Sequence, residues 1–154
     1  IIYNDEVVMI DTGGMSNYFV SSGSIKLLKS LGYSHIDYLI LTHGDFDHMG
    51  DSIYLINNYN IKNVVLNNDS FNELETNLIN ELKNKKIKYY QNVKKIPISN
   101  NIITILNTKE YDNENDNSNV IYIELNNYKF MFMGDAGVDK EKDVLNNLDD
   151  LWKK

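Results

Sequence analysis

The chain has 154 residues, enough for one domain with a buried core and too few for two comfortable ones. Hydrophobic residues make up 42%, which excludes a wholly disordered chain. The formal net charge is -7, all 15 basic residues are lysine, and there is no cysteine. These counts exclude a bidentate arginine grip on phosphate, disulfides and thiolate metal sites.

Residues 6–11 read as a short buried strand that ends in Asp11-Thr12-Gly13-Gly14. The paired glycines permit a tight turn close to other backbone. An Asp closing a buried strand needs hydrogen-bond donors around it; the other reading is an ordinary turn Asp. Residues 22–32 predict a helix. Ser22 or Ser24 caps it, Ile25, Leu27, Leu28 and Leu31 form its apolar stripe, and Gly32 ends it. His35 has no acidic neighbours at ligand spacing and reads as a surface or turn histidine.

The strand at 36–42 runs directly into His43-Gly44-Asp45-Phe46-Asp47-His48-Met49-Gly50. Four imidazole or carboxylate groups fall within six residues. These are the side chains that bind divalent cations in a cysteine-free site. Continued strand alternation would put His43, Asp45 and Asp47 on one side, with the break before Gly50 turning His48 inward. The plain alternative is a solvated acidic turn, but four such groups after a hydrophobic strand point to a bound cation.

Residues 49–59 predict a helix whose positive dipole end faces this loop. A strand at 62–66 follows, then a helix at 70–84 with Ser70 as cap and Glu73 closing a capping box. Residues 83–95 interleave six lysines with Tyr89 and Tyr90. That composition suits a nucleic-acid surface. It equally suits a lysine-rich helix end and a strand with one tyrosine in and one out, which is the favoured reading. A turn and strand occupy 98–106, and a polar, acidic loop occupies 107–119. Strands at 119–125 and 128–133 flank Asn126-Asn127 as a hairpin. The second strand ends in Gly134-Asp135-Ala136-Gly137, and an amphipathic helix is predicted over 138–151. Asp135 repeats the pattern of Asp11, a strand-end acid. It reads either as a turn residue or as the opposing donor that two-sided cation coordination needs.

The spacing His43-x-Asp45-x-Asp47-His48 resembles the metal-binding signature of the metallo-β-lactamase superfamily, usually H-x-H-x-D-H. Its Asp at the second position is similar to the hydrolase-like C-terminal domain of the ComEC/Rec2 competence proteins, a DNA-uptake channel family. The resemblance covers most of the chain. It implies an α/β fold, an αββα sandwich of two mixed sheets face to face with helices outside. It implies His43, Asp45, Asp47, His48 and Asp135 as metal ligands, with Asp135 bridging two ions. Asp47 would also orient the attacking hydroxide, and Asp11 would support the metal loop from beneath.

The superfamily carries a third His in the loop before the hairpin. Here that loop offers Asn117-Ser118, with Glu114 and Asp116 nearby, so one metal position is expected to be weakened, lost or filled by a carboxylate. Asn117 and Ser118 are assigned supporting roles. Exchanging His for Asp hardens the donor set, which moves preference from zinc toward manganese or magnesium; two divalent ions, Mn or Zn, are the expected cofactors. The implied chemistry is metal-assisted hydrolysis of a phosphodiester, with DNA and the membrane reached through the parent protein, in a bacterial cell membrane. The competing expectation is a catalytically degenerate docking or gating module of a DNA channel; another phosphoester is a third. The chain opens with Ile1-Ile2 and stops at Trp152-Lys153-Lys154. It is therefore expected to be one domain over 1–154, a fragment incomplete at both ends. Because the ComEC-like pattern continues into a His-His-Gly-Ser stretch not present here, the ions are expected to be weakly held or missing in this piece.

Overall fold

A computed structural model describes residues 1–15, 21–68, 71–107 and 109–152, the last five without their side chains. In chain order the elements are β1 (Ile2–Tyr3), β2 (Glu6–Ile10), α1 (Ser21–Ser30), β3 (His35–Ile40), α2 (Phe46–Met49), α3 (Ser52–Asn58) and β4 (Asn60–Val65). They continue as α4 (Glu73–Lys85), β5 (Lys88–Tyr90), β6 (Lys95–Ile98), β7 (Asn101–Ile105), a 3-10 turn (Asn115–Asn117), β8 (Ile121–Leu125), β9 (Tyr128–Phe132) and α5 (Val138–Trp152).

Two sheets form. The first has the order β1-β2-β3-β4-β5, antiparallel only between β1 and β2 and parallel from β2 to β5. The second, β6-β7-β8-β9, is antiparallel throughout. Helices and the two-sheet sandwich agree with the expected fold class, while the mixed character belongs to the first sheet. The reason is connectivity: helices cross over between the parallel strands, short turns join β1 to β2, β6 to β7 and β8 to β9, and a longer loop joins the antiparallel pair β7 and β8.

Successive strand residues face opposite ways, so the first sheet is buried on both faces. Val7, Leu39 and Val64 pack under α1, α3 and α4 through Ile25, Leu55 and Leu78. Their neighbours Val8, Ile40 and Val65 meet Ile96, Ile103, Ile121 and Ile123 of the second sheet. A smaller cluster joins Val144 of α5 to Val120. The layers therefore run helices, sheet, sheet, with α5 resting against the segments that flank β8 and β9.

Several boundaries differ from the pattern in the sequence. The capping box of α4 is Asn72 with Glu75, two residues beyond the expected pair; Ser70 lies outside the described residues. Asn is as good a cap as Ser, and the box spacing is satisfied at either position. In α1 only Ile25 and Leu28 of the stripe are buried, while Leu27 and Leu31 are 59% and 54% exposed. Of the stretch at 49–59, α3 takes Ser52–Asn58, and the helical turn before it, α2, begins within the histidine loop at Phe46. Tyr89 packs against the helix-side core and Tyr90 is exposed, the one-in, one-out arrangement. No helix among the described residues is long and apolar enough to cross a membrane.

Candidate metal centre

Parallel pairing brings strand ends to one edge. Ile10 pairs with Ile40 and Ile40 with Val65, so Asp11 and the 41–43 segment emerge side by side. The second sheet joins the same edge. Asn119 donates its backbone N–H to the Thr42 carbonyl at 2.8 Å and its side-chain amide to the Leu41 carbonyl at 2.9 Å. Phe132 pairs with Ile121, so the end of β9, with Asp135 just beyond, lies beside the start of β8.

The metal loop is held from below by the turn after β2. The N–H groups of Thr12 and Gly13 donate to the His48 carbonyl at 2.8 and 3.0 Å. Asp11 adopts a left-handed φ of 54°, which Asp tolerates better than most residues. Its Oδ1 accepts the Thr42 N–H at 2.8 Å, and its Oδ2 accepts the Thr42 hydroxyl at 2.8 Å and lies 2.8 Å from His48 Nδ1. A carboxylate at Nδ1 fixes the ring and leaves Nε2 facing the site.

Three ligand atoms then converge. One each from His43, His48 and Asp135 lie within 4.8 Å of one another. His48 Nε2 is 3.0 Å from Asp135 Oδ1, and the two imidazoles sit with centroids 4.3 Å apart. His43 is 1% exposed. Its Nδ1 has the Thr42 and Ser118 hydroxyls at 3.1 and 3.3 Å, but its buried Nε2 has no hydrogen-bond partner. An unsatisfied buried polar atom costs about 1–3 kcal/mol. A cation shared with His48 and Asp135 relieves it, so the donor set fits a divalent ion.

The electrostatics agree. Burial, with His48 beside it, pushes the His43 pKa down, keeping the ring neutral and able to ligate. Burial also opposes charge on His48, yet the Asp11 bond and the charges of Asp11, Asp135 and Asp47 outweigh it and raise the pKa.

The other expected ligands stand differently. Asp45 Oδ2 lies 3.5 Å from His43 Nε2, with its side chain 47% exposed. Asp47 is exposed and outside the convergent group. Strand alternation does not continue through the motif because α2 begins at Phe46. The helical turn carries His48 inward and Asp47 outward. Ser118 contacts His43 and also accepts the Asp135 N–H at 3.3 Å, while the Asn117 amide closes its own loop onto the Tyr111 backbone at 2.7 and 2.8 Å. Glu114 Oε1 accepts the Gly44 N–H at 2.8 Å, and Asp116 Oδ1 accepts the Gly137 N–H at 2.7 Å. Neither belongs to the convergent ligand group.

Two residues at the centre were not singled out by sequence reading. Thr42 had a usable signal, its place between the strand and His43. Asn119 had none, since its role depends on where the second sheet docks. Gly134 shows why a small residue precedes Asp135: its φ is +58° and a Cβ there would lie 2.8 Å from the Ser118 hydroxyl.

Comparison with known proteins adds an independent line. The model of the metallo-beta-lactamase superfamily matches residues 1–152. ComE operon protein 3 of Bacillus subtilis (strain 168) is 26% identical over 157 residues, covering 90% of this chain and 20% of that protein. The chain thus spans about a fifth of that relative's length. A solved diphosphatase from the PhnP family aligns over 79% of this chain and 46% of its own, at 15% identity and a TM-score of 0.43.

Proposed function

The chain belongs to the metallo-β-lactamase superfamily, and on that premise we propose that it is a metal-dependent hydrolase of a phosphodiester, one domain of a DNA-uptake protein. Superfamily membership implies divalent metal ions. The observation that carries the reading is the buried, unpartnered Nε2 of His43 beside His48 and Asp135.

In this reading His43, His48 and Asp135 would hold the ion, and Asp45, whose Oδ2 lies 3.5 Å from His43 Nε2, would add an oxygen. A nitrogen-and-oxygen set of this kind suits manganese, with zinc the alternative. Bound divalent ions supply Lewis-acid polarisation and lower the pKa of water. The chain's own residues do the rest. Asp11 keeps His48 oriented, and Ser118 and Thr42 do so for His43. Asp47, exposed one residue before His48, is assigned to orient the attacking hydroxide and, on the family resemblance, as a further ligand that would have to turn inward from its present position. The resemblance to ComEC/Rec2 proteins supports a DNA strand as substrate, reached at the membrane through other parts of a longer protein.

A second reading has its own observation. Ser118 stands in the loop where the superfamily carries its third His, which favours a docking or gating module without catalysis. Incubation of the chain with Mn2+ and bis-p-nitrophenyl phosphate separates the two. Hydrolysis that falls on the order of 100-fold in Asp47→Ala supports the enzyme; no turnover above Mn2+ alone leaves the module.

A further inference from the structure

We infer that Glu114 and Asp116 are positioning residues, which together set the separation between the two loops that carry the site's ligands. The inference rests on the reading that His43, His48 and Asp135 share a cation, and it concerns residues outside that cluster. The sequence offers residues 107–119 as a polar, acidic loop whose Glu114 or Asp116 could serve as a substitute ligand. The structure gives the two carboxylates a different task.

Glu114 precedes the 3-10 turn and Asp116 is its middle residue, and they reach in different directions. Glu114 takes the N–H of Gly44, next to His43, and Asp116 takes the N–H of Gly137, two residues beyond Asp135. Both are carboxylate bonds to backbone N–H, shorter and stronger than neutral ones. Ser118 completes the bridge by contacting His43 Nδ1 and the Asp135 N–H. A single short turn thus ties the loop bearing His43 and His48 to the turn bearing Asp135.

A bridge transmits position only if it is itself stiff and anchored. The turn is closed by the reciprocal Asn117–Tyr111 bonds and anchored to the segment leaving β3 through Asn119. Behind it lies Lys140, 1% exposed, with Asp116 and Asp143 as its charged neighbours and the Tyr111 ring 5.0 Å from its Nζ. On the other side Gly44 is pinned as well. Its carbonyl accepts the Asn72 amide at 2.8 Å. A Cβ at this position would lie 2.4 Å from that amide nitrogen and 2.7 Å from Glu75 Oε2. The metal loop is therefore held between the N-terminus of α4 and Glu114.

The test compares Glu114→Ala and Asp116→Ala with Glu114→Gln and Asp116→Asn, which keep an acceptor oxygen. Mn2+ affinity is measured on the whole chain by electron paramagnetic resonance titration. Amide hydrogen exchange of Gly44 and Gly137 is followed in EDTA. The alanine variants are expected to lose about 10–100-fold in Mn2+ affinity, the usual cost of removing an outer partner of a ligand, and the amide variants to recover most of it. A general loss of folding would not be recovered in this pattern. Unchanged affinity in the alanine variants overturns the inference, as does equal weakening in the amide variants. If the unaltered chain binds no Mn2+, the cation reading fails. Exchange then decides: faster exchange at the partner glycine and at the opposite loop keeps the bridge, and unchanged exchange at the opposite loop removes it.

Discussion

A histidine beside a carboxylate opens strand β3, and histidines with carboxylates gather just beyond its end, yet the two groups are built on opposite rules. At the start, Asp37 is almost fully buried and fully engaged. It accepts the Val7 N–H at 2.9 Å and the Lys62 ammonium at 2.7 Å, with His35 Nε2 3.3 Å away. At the finish, His43, His48 and Asp135 converge with Asp11 and Asp45 beside them, no lysine forms an ion pair with any of these acids among the described residues, and one buried nitrogen lacks a partner. Clustered ionisable groups are therefore not in themselves a sign of function. The difference lies in closure: the first cluster neutralises itself, and the second awaits a positive charge from outside.

The largest effect expected from this contrast is at the open end. Asp135→Ala should weaken Mn2+ binding by on the order of 100-fold, because it removes the convergent oxygen donor, and should shift Tm little, since its side chain is 44% exposed. Calorimetric titration and thermal melts on the same samples check both parts. Asp37→Ala should do the reverse, with Tm lowered and Mn2+ affinity kept. A cation-binding loss in Asp37→Ala would erase the distinction.

The next effect is on pH. In the ion-free protein burial opposes charge on His48, but Asp11 at Nδ1 and Asp135 at Nε2 favour its protonated form and raise its pKa above the usual imidazole range. An ion must displace that proton. Mn2+ affinity should therefore be low in acid and climb as pH rises through the raised His48 value; a flat profile across about pH 6–8 would contradict the arrangement.

Asp37→Asn should cost about 1–3 kcal/mol of unfolding free energy in urea melts, the range for losing hydrogen bonds to a charged group. Burial opposes the Asp37 charge, but the Lys62 ammonium, the Val7 N–H and His35 together hold its carboxyl below the usual range. A depressed folded pKa contributes stability that is present above the unfolded value and lost as pH falls through the folded one. The Asn variant should accordingly remove part of the acid-dependent loss. Smallest of all, Lys62→Met should change stability by about 0–1 kcal/mol, since that lysine side chain is half exposed and solvent screens it.

The sequence was most legible where one local pattern decided the outcome. The buried runs at β2 and β3 and the Asn126-Asn127 hairpin are local, and they are placed as read; of the donors from His43 to His48, only the two histidines join the convergent group. Asn126 and Asn127 both take positive φ, 51° and 68°, as a tight hairpin turn requires. The Asn4-Asp5 pair carries an equally local turn signal and went unread: its two residues have φ of 46° and 65° and join β1 to β2. What stayed hidden depends on distant partners. Nothing near Asp37 announces Lys62 or Val7, nothing near Glu114 announces Gly44, and the outward turn of Asp47 depends on a helix beginning at Phe46 where alternation predicts strand.

The most direct measurement of whether His43, His48 and Asp135 share a cation is anomalous X-ray diffraction from crystals of the chain grown with Mn2+. The account predicts a peak within about 2.0–2.3 Å of His43 Nε2, His48 Nε2 and an Asp135 oxygen. A peak elsewhere, or none with His43 Nε2 still unpartnered, would contradict it.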